Sequence, residues 1–220
     1  MAAGDYELVV VVNPNNPTGR LTPADDLHRA IEASPANTRW WVDEAYLGYV
    51  GFPESLAALA PTEPRLVVCT SLSKMYALSG LRAAYLVADP GTAAALRRLT
   101  PPWQVSLPAQ IAAVTALRDP EHYRAAWART RVLREQLRAR LAALDGLEVE
   151  DSVANFLCLT LPRSGLSAPA FVTALREHDV YLRDLSPLSP SYEGRTVRVA
   201  VRDEAENARI VAACSEVLGV

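Results

Sequence analysis

The stretch "VVVVNPNNPTGR", Val9 to Arg20, decides how the rest of the chain is read. Four β-branched valines in succession favour an extended backbone. An unbroken apolar run of that length predicts a strand buried on both faces, as in a parallel sheet. The run stops at Asn13, where asparagines, prolines and a glycine crowd together. Those residues all serve turns for local steric reasons. Taken alone, "NPNNPTG" is therefore equally an ordinary turn and a ligand-holding loop.

Outward from it, strands and helices alternate. "TPADDLHRAIEAS" predicts a helix with Thr22 as N-cap, Pro23 at the first helical position and acids in the first turn. "RWWVDE" and "RLVVCTS" are short apolar strands, and "LRAAYLVAD" is a fourth. That alternation predicts an α/β class with a mostly parallel sheet. Further along come the Ala/Leu helices "GTAAALRRLT" and "LPAQIAAVTALRD". A long amphipathic helix is expected from Glu121 to about Leu144, its arginines forming a solvated face. After it, "FLCLTLP", "APAFVTALREHD", "VYLRD", "RTVRVAVR" and "EAENARIVAACSEVL" predict a small α+β unit. Residues 1–110 are thus expected to be part of a large α/β domain, and 111–220 a connecting helix with a small C-terminal α+β domain.

Composition narrows the function. The chain has 220 residues, half of them apolar, and a formal net charge of −3, which offers no basic footprint for nucleic acid. Cys69, Cys158 and Cys214 lie far apart in apolar stretches, and His28, His122 and His178 form no cluster. Reduced thiols in a soluble cytoplasmic protein are expected, with no metal site and no membrane contact.

The chemistry lies at the strand ends. "VDEAY" puts Asp43 and Tyr46 at the carboxyl edge of the sheet, and "TSLSKMYALSGLR" brings Ser71, Ser73, Lys74 and Arg82 to the same edge. In open α/β sheets ligands bind beyond that edge. A neutral lysine amine is a nucleophile toward a carbonyl. Serines with an arginine suit a phosphate. A buried carboxylate that stays ionised wants a cation, such as a protonated ring nitrogen. Asn16 and Tyr46 can both donate to a phenolate oxygen. Aldehyde, phosphate, pyridinium and phenolate together describe pyridoxal 5′-phosphate. Ser73 serves equally as a turn cap, and Tyr76 reads as packing.

In this order and spacing, "NPNNPTG", "DEAY" and "SLSK" followed by Arg82 resemble the fold-type I pyridoxal-phosphate enzymes of aminotransferase class I/II. Within them the chain is similar to the histidinol-phosphate aminotransferase and threonine-phosphate decarboxylase branch. The resemblance implies a Schiff-base lysine and proton shuttle at Lys74, and a partner for the pyridinium at Asp43. It implies contacts to the phenolate oxygen from Asn16 and Tyr46, and phosphate contacts from Ser71, Ser73 and Arg82. It also implies a substrate-carboxylate arginine at Arg198 and a second substrate-facing arginine at Arg183. The implied activity is transamination between an amino acid and a keto acid, with a phosphorylated substrate among those suited. The alternatives are a threonine-phosphate-type decarboxylase and a non-catalytic protein.

Members of that family carry a long region ahead of the asparagine motif, with a Gly/Ser phosphate loop and a ring-stacking aromatic; here "MAAGDY" precedes "ELVVVV". The sheet is therefore expected to present an unpaired edge and an uncovered apolar face, an association site. A gene fragment, one half of a split enzyme and a degenerate remnant are all open. The resemblance implies a homodimer or a complementing N-terminal polypeptide.

Overall fold

A computed structural model describes residues 6–220. Two compact units divide the chain: one holds Leu21–Trp127 with the stretch ending at Asn15, and the other holds Asn16–Arg20 with Ala128–Val220. The sequence places the change near residue 110. The two compact units part between Trp127 and Ala128, within the long helix, and the second takes five residues from the asparagine turn.

In the first unit, strands β1 (Leu8–Val12), β2 (Arg39–Asp43), β3 (Leu66–Ser71) and β4 (Ala84–Val87) form one sheet in that order. β1, β2 and β3 run parallel, with Val12 opposite Asp43 and Asp43 opposite Cys69, while β4 returns antiparallel with Ser71 opposite Ala84. Between β1 and β2 lies helix α1 (Ala24–Glu32). Its Leu27 and Ile31, one turn apart, are buried against Trp40, Val42, Leu66 and Val68, the alternate side chains on one face of β2 and β3. Burying each such aliphatic chain stabilises the unit by about 1.5–3 kcal/mol.

Two expectations are corrected here. The valine strand is not buried on both faces: Val9 and Val11 pack on the core, but Leu8 and Val10 are 57% and 61% exposed. Among the described residues β1 is a sheet edge covered on one side, and a β-branched run specifies extension without specifying what covers it. Nor does Thr22 cap α1. Pro23 occupies the N-cap position with no side-chain acceptor, and the Ala24 amide donates to Glu54 Oε2 at 2.9 Å. A carboxylate remote in sequence satisfies the orphan donor and faces the positive end of the helix.

The exposed edge leads to a first prediction. Val10→Lys, which puts a charge on the open face of β1, should weaken concentration-dependent association in light scattering. It should change stability by no more than about 0.5 kcal/mol. Unchanged association would clear this edge of the role.

After β3 come the one-turn helix α2 (Leu72–Met75), then α3 (Pro90–Leu99) and α4 (Leu107–Leu117), capped by Asp89 and Ser106. Helix α5 runs Pro120–Ala142.

The second unit has a sheet of β5 (Glu148–Val149), β6 (Phe156–Thr160), β8 (Thr196–Ala200) and β7 (Arg183–Asp184) in that order, antiparallel throughout. Leu157, Leu159, Val197 and Val199 line one face and pack against Leu137 and Leu141 of α5, Phe171 and Leu175 of α6 (Ala168–Leu175), and Ile210 and Cys214 of α7 (Glu204–Leu218). The solvated reading of the α5 arginines fails at Arg134, which is 7% exposed and donates from Nη1 to the Ala154 carbonyl at 3.2 Å. Its long stem packs inward while the head satisfies a buried acceptor. Among the described residues no helix is long and apolar enough to cross a membrane.

Candidate active site

The turn after β1 is a clasp. The Asn13 amide donates to the Asp43 carbonyl at 2.8 Å, extending the β1–β2 pairing by one rung. Its buried side chain makes a reciprocal pair with Thr22: Nδ2 donates to the Thr22 carbonyl and Oδ1 accepts the Thr22 amide, both at 2.8 Å. Asn13 therefore closes the loop that the asparagines and prolines build.

At the carboxyl end of β2, Asp43 Oδ1 accepts the Ala45 amide at 3.0 Å. Burial raises the Asp43 carboxyl above its ordinary pKa, and the Ala45 N–H only partly offsets this. A carboxylate in that state favours a cation placed against it. Glu44, which sequence reasoning passed over, is buried and structural. Its Oε2 accepts the Ser55 hydroxyl at 2.6 Å and its Oε1 the Leu56 amide at 2.8 Å. Burial raises this carboxyl too, against those two hydrogen bonds, with Asp43 adding repulsion. Glu44→Ala should cost about 2–4 kcal/mol in urea unfolding, since it leaves the buried Leu56 amide and the half-buried Ser55 hydroxyl without this acceptor.

Tyr46 follows, buried, at the head of a short 3-10 turn over Leu47–Tyr49. The Tyr49 hydroxyl is pushed up to about 12 by burial, reinforced by Tyr46, so it is a donor at neutral pH.

At the end of β3, Ser71 N-caps α2 by accepting the Ser73 amide at 3.3 Å. Lys74 is exposed between buried Ser73 and Met75, so its amine faces outward from a fixed base. Arg82 is held in the left-handed region at φ 53°, a rare backbone state for a side-chain-bearing residue. Its Nη1 donates to the Ser79 carbonyl at 2.7 Å and to Ser73 Oγ at 3.3 Å. Ser73 and Arg82 thus meet. The parallel β2–β3 register and the β4 return bring Asp43, Ser71, Ser73, Lys74 and Arg82 to one edge. Cys69, opposite Asp43 in register, is no competing nucleophile: burial, with Asp43 adding, pushes its thiol up to about 11. Tyr76 is buried against Tyr123 and Trp127, the packing role expected of it.

The remaining residues belong to the second unit. Arg198 on β8 donates from Nη1 to Asn16 Oδ1 at 2.5 Å, and its guanidinium lies 4.9 Å from the Phe156 ring centroid. Arg183 is directly opposite Arg198 across the β7–β8 pair, so both side chains leave the same sheet face, away from the apolar core. Like charges opposite each other are destabilising, and an anion between them removes the repulsion. Gly19 (φ +72°) passes so close to Ser152 that an added Cβ would meet its side chain, which locks this part of the turn onto the second unit.

The "Aminotransferase class I and II" family model matches residues 2–213. The chain is 36% identical over 214 residues to "Histidinol-phosphate aminotransferase 1" of Nitrosococcus oceani, a match covering 96% of this chain and 56% of that protein. Among solved structures, a histidinol-phosphate aminotransferase from Sinorhizobium meliloti in complex with pyridoxal-5′-phosphate superposes with a TM-score of 0.87 at 27% identity, covering 97% of this chain and 57% of that one. An L-threonine-O-3-phosphate decarboxylase from Porphyromonas gingivalis gives 0.83 at 25% identity, covering 97% and 65%. The chain spans about half the length of the curated relatives it matches.

Proposed function

Since the chain belongs to the aminotransferase class I and II family, we propose that it carries the lysine-bearing part of a pyridoxal-phosphate-dependent aminotransferase site. The observation that carries the proposal is the β2–β3 edge, where an exposed amine at Lys74 shares one sheet end with a half-buried carboxylate at Asp43 and the Ser73–Arg82 pair. The donor set fits the cofactor part by part: amine for aldehyde, carboxylate for pyridinium, hydroxyl and guanidinium for phosphate. When bound, the cofactor supplies an electron sink for charge developing at the substrate Cα.

In this reading Lys74 would hold the cofactor's aldehyde carbon and would move the proton at the substrate Cα. Asp43 keeps the ring nitrogen protonated, and Tyr46, with Asn16, donates to the phenolate oxygen. Ser71, Ser73 and Arg82 hold the phosphate. Arg198 binds the substrate carboxylate and Arg183 faces the substrate's own anionic group. The arginine pair supports an anionic amino acid, a phosphorylated one included. Residues 1–110 serve the cofactor, and residues 111–220 form the connecting helix and the substrate-facing unit. The free cysteines support a cytoplasmic location. The exposed Ile111 and Val114 of α4 support a homodimer or a complementing N-terminal polypeptide.

The decarboxylase likeness supports a second reading. The same lysine and carboxylate would hold the cofactor for either reaction. The test supplies the protein with pyridoxal 5′-phosphate, a keto acid and candidate amino donors, the amino alcohol ester histidinol phosphate and the amino acid phosphothreonine among them. Amino-group transfer into the keto acid supports the first reading, and CO2 release from a carboxylated substrate supports the second. Wild-type protein that forms neither product and takes no cofactor onto Lys74 would overturn both.

A further inference from the structure

Lys74 sits on a helix of four residues, far too short to hold itself. Its last carbonyls take side-chain donors from elsewhere in the same unit, the Lys74 carbonyl in addition to the Ala77 amide at 3.4 Å. The Tyr49 hydroxyl donates to the Lys74 carbonyl at 3.2 Å, and the Trp127 indole Nε1 donates to the Met75 carbonyl at 2.7 Å in a buried bond. The indole is fixed in turn by edge-on contacts with Phe52 and Tyr76, at centroid separations of 5.8 and 5.6 Å. On the other side, the Gly48 amide points at Met75 Sδ, 2.7 Å away, and an added Cβ there would lie 3.0 Å from the indole. The polar end of a large ring has thus been spent on one backbone oxygen, next to the residue whose amine does the chemistry.

We infer that Trp127 is a positioning residue for Lys74, with Tyr49 as its second clamp: their N–H and O–H bonds fix the α2 backbone and so the direction in which the amine leaves the sheet edge. The inference rests on the reading of Lys74 as the cofactor lysine. A carbonyl left without its buried donor seeks another partner, and the long bonds that the Leu78 and Ala77 amides make to the Leu72 and Lys74 carbonyls, at 3.3 and 3.4 Å, offer little resistance to the shift. Small displacements of a reacting group cost rate far beyond their cost in stability.

Trp127→Phe keeps most of the ring and removes the donor. Two readouts decide. The first is amide exchange in the segment 72–78, which needs no cofactor. The second is the rate at which pyridoxal 5′-phosphate becomes trapped on Lys74 by borohydride, read by peptide mass spectrometry. Trp127→Phe should speed exchange in 72–78 and slow trapping by about tenfold. Ile31→Ala, a truncation in the α1 core, should lower the unfolding temperature while leaving both readouts near wild type. Tyr49→Phe, which removes only a hydroxyl, should reproduce both effects if Trp127→Phe fails to fold. Wild-type exchange in 72–78 in the Trp127 variant overturns the inference, as does an equal change in both readouts for Ile31→Ala. If wild type takes no cofactor onto Lys74, the cofactor reading falls and exchange alone decides whether the indole fixes α2.

Discussion

Lys74→Ala is expected to leave the protein folded and to abolish the borohydride-trapped pyridoxyl adduct entirely. The side chain is exposed while its neighbours Ser73 and Met75 are buried, so truncation removes almost no packing. The unfolding free energy should move by less than about 0.5 kcal/mol. Chemistry should suffer far more, because a positioned acid–base group contributes roughly 10²–10⁴-fold. Lys74→Arg sharpens the test. It preserves positive charge and length, yet a guanidinium stays protonated at neutral pH and cannot attack an aldehyde. It should be as inert as alanine toward the cofactor. An adduct or visible absorbance band surviving either change would remove the assignment of this lysine.

Asp43→Asn should move stability and binding in opposite directions. Burial raises the Asp43 carboxyl pKa in the folded state. A raised pKa means that the folded protein holds its proton more tightly than the unfolded chain does. The stabilisation linked to that proton is complete below the unfolded pKa and is lost as pH rises through the raised folded value. Above that raised value the protein carries a half-buried charge at a cost, and the amide, which can still accept the Ala45 N–H, removes that cost. Melting temperature at pH 7 should rise. The part of the stability loss between acid and neutral pH that belongs to Asp43 should vanish, while the part from Glu44, raised in the same direction, remains. Cofactor affinity should fall about 10- to 100-fold, the range for losing a charge-assisted bond of about 1.5–3 kcal/mol. A variant that is less stable at pH 7 and binds the cofactor as tightly as wild type would refute the pairing.

Much of the first unit is legible along the chain. The β-branched and aromatic runs at Val9, Trp40 and Val67 become strands because extension suits those side chains locally. The residues following them land at one edge because parallel strands share a direction. Ser73 and Arg82 meet as their spacing suggests. Less legible are the groups whose partners lie far off. Glu44 is as charged as Asp43 beside it, and only the chain around Ser55 makes one a buried clamp. Trp127 reads as a core aromatic until its indole is seen on the Met75 carbonyl. A signal for Glu44 existed in the doubled acid of "DEAY", since two carboxylates side by side at a strand end cannot both face the same way.

The sequence by itself determined the strand order of chemistry: which residue types arrive at the ends of β2 and β3, and at what spacing. That much follows from backbone preference and chain direction, which are local. Only the tertiary structure decided that the valine strand has one open face, that Glu54 rather than Thr22 caps α1, and that Asn16 pairs with Arg198 in the second unit. Each of these depends on which surfaces and donors meet across long separations in the chain, and no local preference encodes a partner.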